Sequence, residues 1–326
     1  MKNNIIITLF SFSIFIFFIF CAQKTFAQQV ILTVSPPLVE ALIKPGKDIL
    51  IGYKIQNLGD PTIVTTRITT FYPHGNNGNI LIKKELEGPV RFNLENTDIQ
   101  LGDAFFLKNN AEQQILLKMR VPENAPQGDY YYTLLFESKP QSELTGNSSS
   151  GAKATIGANL LLTISTDGQI DINGKINQFA VLPQYKFKLF DNTLNVFDSG
   201  NQIPIILNIQ NQGKNLIKPN GTISINGSLG EKTEYTILPE NILSESQRIV
   251  HATPSANLNC EGCSLVVPGF FMGKYTLDTK VNFGEGTKEI VDSVVIYYVP
   301  LKLSIAIILC SIIGFILFKR YQKIED

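Results

Sequence analysis

Gly46-Lys47-Asp48-Ile49-Leu50-Ile51-Gly52-Tyr53-Lys54-Ile55-Gln56-Asn57-Leu58-Gly59 reads as a turn, a mostly alternating strand and a second turn. It returns without gaps as Gly200-Asn201-Gln202-Ile203-Pro204-Ile205-Ile206-Leu207-Asn208-Ile209-Gln210-Asn211-Gln212-Gly213. Both copies close on Ile-Gln-Asn-x-Gly. A later pair keeps the same order: Gly128-Asp129-Tyr130-Tyr131-Tyr132-Thr133-Leu134 against Gly273-Lys274-Tyr275-Thr276-Leu277-Asp278-Thr279. In each, glycine and tyrosine open a long strand, where many sandwiches place a tyrosine whose hydroxyl ties down the neighbouring loop. Two anchors in one order point to one fold used twice, with the boundary near Thr166 to Asp171.

Outward from this repeat, strand signals recur at Val30 to Val34, Thr62 to Phe71, Ile80 to Lys84, Glu112 to Val121, Tyr130 to Glu137 and Thr155 to Ser165. Turn clusters such as Lys44-Pro45-Gly46, His74-Gly75-Asn76-Asn77-Gly78 and Asn124-Ala125-Pro126-Gln127-Gly128 separate them. The spacing predicts an all-β chain of two tandem immunoglobulin-like β-sandwich domains, 28–167 and 168–299. Pro204 cannot donate to a ladder, so it is expected at an edge or strand start. The polar stretch Lys139 to Lys153 reads as a long loop between the last two strands of the first domain.

The two ends suggest export and anchorage. Residues 1–27 combine Lys2, the apolar stretch Ile5 to Phe20 and a Thr25-Phe26-Ala27 end, the pattern of a signal peptide cleaved after Ala27. Near the other end Leu303 to Phe318 carries no charge and is followed by Lys319, Arg320 and Lys323. This predicts a transmembrane helix over 300–318 and a cytoplasmic tail over 319–326, because positive charge stays inside. The implied location is the cell membrane, single-pass, with the ectodomain extracellular and the C-terminus cytoplasmic.

With 28 basic and 28 acidic residues, the chain offers no electrostatic case for nucleic acid. An Asn-, Ile-, Lys- and Thr-rich composition without tryptophan suits strands and turns and suggests a bacterial, AT-rich source. Outside the two ends only Cys260 and Cys263 remain, and in an oxidising compartment the pair reads as a local disulfide. Zinc needs two more ligands, and the only histidines are His74 and His251. Neither histidine lies in a nucleophile motif, and there is no G-x-S-x-G or H-E-x-x-H, so no enzyme, cofactor, metal or small-molecule substrate is expected.

Lys44-Pro45-Gly46 through Asn57-Leu58-Gly59-Asp60, with Met119-Arg120-Val121-Pro122-Glu123-Asn124-Ala125-Pro126-Gln127-Gly128-Asp129-Tyr130-Tyr131, resemble the first domain of the WxL-interacting proteins of Gram-positive cell surfaces. That resemblance implies a signal peptide, two immunoglobulin-like domains, a C-terminal membrane helix, and binding to WxL proteins and peptidoglycan. The resulting expectation is a membrane-anchored, non-catalytic surface scaffold or adhesion protein whose partners are the cell membrane and an envelope protein or peptidoglycan. The alternative is a chaperone or assembly factor acting through an exposed sheet edge. Tyr130 and Tyr132, with Asn147 and Ser149 in the long loop, are the expected partner-binding residues. Alternation sets Tyr131 on the face opposite Tyr130 and Tyr132.

Overall fold

In the computed structural model, which describes residues 29–96, 98–139, 153–190, 192–228, 230–254, 260–284 and 286–325, the alternating segments pair into four sheets. One sheet orders β1 (Leu32–Ser35), β3 (Asp48–Asn57), β8 (Glu112–Arg120) and β6 (Arg91–Leu94). Facing it are β2 (Leu38–Ile43), β10 (Thr155–Ile164), β9 (Gly128–Lys139), β4 (Thr62–His74) and β5 (Asn79–Ile82), with β7 (Ala104–Leu107) also on β4. The chain crosses between these sheets at Pro36-Pro37, so β1 pairs with β3 while β2 runs parallel to β10.

The third sheet sets β14 (Ile203–Asn211) between β11 (Gly174–Val181) and the short strands β17 (Gln247–Ile249) and β19 (Leu265–Val267). The fourth orders β12 (Tyr185–Leu189), β13 (Asn192–Asp198), β21 (Ile290–Val299), β20 (Gly273–Asn282), β15 (Asn220–Gly227), β16 (Lys232–Ile237) and β18 (Ala252–Thr253). Pro204 lies at the second residue of β14, a central strand, opposite Val266 of β19, so strand-start placement rather than an edge accommodates it.

Each pair of sheets closes on its own core, which makes the architecture a β-sandwich used twice. Tyr53, Ile55, Leu117 and Met119 of one sheet meet Leu134, Phe136, Leu160 and Leu162 of its partner. In the second core Ile205, Leu207 and Ile209 meet Phe197, Leu277, Ile296 and Tyr298. These side chains are the alternate residues of their strands, so apolar periodicity and burial coincide.

The repeated Ile-Gln-Asn-x-Gly stretch has one geometry in both copies. Asn57 and Asn211 are fully buried, and each accepts a hydrogen bond from the N–H of the glycine two residues on, at 3.0 Å from Gly59 and 2.9 Å from Gly213. Asn57 Nδ2 donates to the carbonyls of Asp60, Leu107 and Lys108; Asn211 Nδ2 donates to those of Asn215, Ile242 and Leu243. The glycines are needed for close approach, since a methyl group would lie 2.2 Å from the Gln29 carbonyl oxygen at Gly59 and 2.4 Å from that of Asp171 at Gly213. The tyrosines of the second repeated pair also tie loops as expected, Tyr130 hydroxyl to the Pro126 carbonyl at 3.1 Å and Tyr275 hydroxyl to the Met272 carbonyl at 3.3 Å.

The C-terminal segment forms α1 (Leu301–Glu325), and here the expectation fails. Among the described residues no helix is long and apolar enough to cross a membrane, which overturns the expected transmembrane helix and with it the single-pass location and cytoplasmic tail. The uncharged run from Leu303 to Phe318 rises only about 24 Å at 1.5 Å per residue, against a hydrocarbon core of about 30 Å. Lys302 bounds that run on one side, and Lys319, Arg320 and Lys323 on the other, all within the helix. The start of α1 is fixed to the second sandwich instead. Buried Asp198 accepts the Leu301 N–H at 2.9 Å, and its other oxygen lies 3.4 Å from Lys302 Nζ. The proposed cleavage site at Ala27 lies outside the described residues.

Candidate functional site

Two places on the chain join exposed or buried polar groups into arrangements a simple sandwich does not need. The first is the junction between the sandwiches. Phe71, Tyr131 and Leu161, on the outer face of the first sandwich, pack with Leu243 of the second. Beside this apolar contact Asp129 receives four donors. Its Oδ1 accepts from Thr163 Oγ1 and Asn215 Nδ2, both at 2.7 Å, and its Oδ2 from the Leu216 N–H at 2.5 Å and Tyr131 hydroxyl at 2.9 Å.

Tyr131 passes the connection on, because its hydroxyl oxygen accepts the Ser244 N–H at 2.8 Å. Burial, then the adjacent Asp129 charge, push the Tyr131 hydroxyl pKa well above its ordinary value. Further out, Glu40 accepts from Lys218 at 2.5 Å and Asn241 at 2.6 Å, and the Ile249 N–H donates to the Asn76 carbonyl at 2.7 Å. A cavity of about 160 Å³ remains at this junction, with Leu38, Phe71 and Leu161 on one wall and Ile242, Leu243 and Arg248 on the other.

The second place is the edge of β10. All ten of its residues pair with β9, but β2 covers only Asn159 to Ile164. The Asn159 N–H points toward β2, donating to the Pro37 carbonyl at 2.9 Å. Backbone direction alternates along a strand, so Gly157 and Thr155 aim their N–H and C=O groups the same way, where the chain has left for the other sheet. Among the described residues no strand pairs with those four groups. The residues Thr155, Ile156, Gly157 and Ala158 carry no charge.

Other edges carry features that disfavour strand addition. β11 breaks register between Ile176 and Gln178, β12 alternates with exposed Lys186 and Lys188, β1 and β6 are four residues each, and β2 has Glu40 at its centre.

The expected partner-binding residues fare unequally. Tyr132 is fully buried in the first core, edge-on to Phe92 with ring centroids 4.8 Å apart, and cannot meet a partner. Tyr130, half-buried, is occupied with the loop at Pro126. Asn147 and Ser149 lie outside the described residues. Tyr131 does face away from Tyr132, but toward the second sandwich. Cys260 and Cys263 form the expected disulfide. Asp129 is not among the expected site residues, although it is one of the positions at which the two repeats differ, aligned with Lys274 between the shared glycine and tyrosine.

No protein-family model matches the chain, so the resemblance to WxL-interacting proteins finds no support there, and no curated protein matches in sequence. Among solved structures, the class 5 fimbriae chaperone CfaA is similar with TM-score 0.35 and 14% identity, covering 83% of this chain and 100% of that one. The E. coli chaperone DraB gives TM-score 0.34 and 10% identity, covering 81% and 98%. A structure of the Salmonella enterica SafA pilin in complex with the SafB chaperone gives 0.33 and 11%, covering 83% and 99%.

Proposed function

We propose that the protein binds an extended segment of another polypeptide along the free half of β10, and so acts as a chaperone or assembly factor for that partner. The uncharged edge at Thr155 to Ala158 carries this reading. Alternate residues on it present backbone donors and acceptors about 6.6 Å apart, the repeat of a neighbouring strand. Such groups recognise a peptide backbone better than a glycan, which favours a protein partner over a cell-wall polysaccharide. Residues 28–167 and 168–299 are the two units in this reading, and the Asp129 junction supports the outer face of the strand that binds.

Thr155→Pro tests the proposal. Proline removes the outward N–H, which lies outside the ladder to β9, so the fold is expected to survive. A photoreactive amino acid at Thr155 should crosslink a partner in cells of the source organism, while the same group at Lys175 of β11 should not. Thr155→Pro should reduce capture of that partner, read with the photoreactive group at exposed Lys153, about tenfold, the loss of roughly one backbone bond to a segment with few others. Equal capture from both edges, or full capture by Thr155→Pro, sinks the reading.

A further inference from the structure

The β18–β19 side of the second sandwich holds a second chemically equipped place. An open pocket of about 440 Å³ is lined by Cys260 and Cys263 together with His251 and Glu240. Cys263 is buried, and Cys260 is partly exposed. His251 Nδ1 lies 2.9 Å from Glu240 Oε1, while Glu240 Oε2 accepts the His251 backbone N–H at 3.3 Å and lies 3.4 Å from Arg248 Nε. An ionised carboxylate can only accept, so Nδ1 carries a proton toward Glu240, and in the neutral imidazole the lone pair is then on Nε2. The His251 side chain is 43% exposed and that of Glu240 19%, so the carboxylate is the fixed partner and the imidazole the reachable one.

A bridge between cysteines three positions apart constrains the unfolded chain by only about 2 kcal/mol on the loop-closure relation, against about 3 for a fifteen-residue loop. Stapling is therefore a small return for two cysteines, and the neighbouring acid–histidine pair has no part in it.

We propose that the Cys260–Cys263 disulfide is a thiol–disulfide exchange site that accepts electrons from cysteine thiols of a client polypeptide, with His251 as the base. His251 Nε2 takes the proton of the incoming thiol, and the thiolate attacks the more exposed sulfur, Cys260 Sγ. A bond forms between the client sulfur and Cys260. The Cys260–Cys263 bond breaks, and its electron pair leaves on Cys263 Sγ, which takes the proton from the imidazolium. A second client thiolate then attacks the client sulfur of this mixed disulfide and releases Cys260 as a thiolate, which is protonated from solvent. Two thiols have become a disulfide, and the protein holds the dithiol. A small-molecule disulfide such as oxidised glutathione returns it to the starting state.

The test uses the full chain with reduced glutathione as the probe thiol, following free cysteines by alkylation and mass. Reduction should proceed with the β-sheet circular dichroism unchanged. His251→Gln should slow it about tenfold near neutral pH, the effect of a general base on a thiol that ionises partly on its own. The charged groups about His251 are Glu240 and, through it, Arg248, so Glu240→Gln should flatten the pH–rate profile while leaving the melting temperature within a few degrees. Rates in both variants that match the parent across pH would overturn the proposal. So would a disulfide that yields to glutathione only when denaturant unfolds the second sandwich.

Discussion

At the end of β3 Asn57 closes a loop of the first sandwich through its own glycine and three carbonyls, and at the end of β14 Asn211 does the same for the second. At the start of β9 and β20 the two copies part. Asp129 reaches across to Asn215 and Leu216 of the other sandwich, while among the described residues Lys274, its counterpart, makes no such bond and its carbonyl accepts the Ser228 N–H at 3.1 Å within its own sandwich. Residues that close a loop inside one sandwich are the same in both copies, because each sandwich must solve that problem alone. Residues on the outer face differ, because only one copy turns that face toward a neighbour.

The largest expected effects test the shared half of this comparison. Asn57→Ala and Asn211→Ala each strip donors from three carbonyls and leave a glycine N–H without its acceptor. Each should cost about 3 kcal/mol or more by denaturant unfolding. Gly59→Ala and Gly213→Ala should be comparably severe, since the added methyl meets a backbone oxygen that cannot retreat. If one position of either pair proved neutral, the equivalence of the copies would fail.

The divergent half predicts an asymmetry. Asp129→Ala removes the acceptor for Asn215 and Leu216 and should cost about 2 kcal/mol, the range of hydrogen bonds to a charged group. It should also split one calorimetric transition into two, as each sandwich keeps its own core but loses its tie to the other. Lys274→Ala should change stability by less than about 0.5 kcal/mol and leave the transition undivided. Tyr131→Phe, which loses the hydroxyl but keeps the ring on Phe71, belongs between them. A single unchanged transition in Asp129→Ala would remove the junction from the account.

What could be read from sequence follows the same division. The long alternating strands, their repeat and both loop-tying tyrosines were legible, because each depends on residues close together in the chain. The strands β2, β6 and β7 were not, since four to six residues become a strand only by pairing with a distant one, as Leu38–Ile43 does with Asn159–Ile164. Alternation separated Tyr131 from Tyr132 correctly, yet β9 is buried on both faces, so the pattern did not say which tyrosine lay in the core. The free edge of β10 was hidden for a related reason: it exists because β2 stops short, and nothing within Thr155 to Ala158 records that. At α1 the apolar run was plain, but its charged limits decide its reach.

The smallest effect concerns the rim of the junction, where Glu40 meets Lys218 and Asn241. Burial alone would raise the Glu40 pKa, but these two donors and the lysine charge outweigh it, and the carboxyl is held below its ordinary value. A carboxyl whose folded pKa is depressed contributes stability above its unfolded value near about 4.3, and that contribution is lost as pH falls through the lower folded value. Both side chains are partly in water, Lys218 45% and Glu40 32% exposed, so the contribution is less than about 1 kcal/mol and shrinks further with salt. In the Asp129→Ala background, where the two transitions are resolved, their separation should widen slightly from pH 7 to pH 3.5. Glu40→Gln should show the wider separation at both pH values, because it has no charge to lose. A pH dependence that persists undiminished in Glu40→Gln would mean that some other carboxylate joins the sandwiches, and that the divergence between the copies extends beyond Asp129 and its rim.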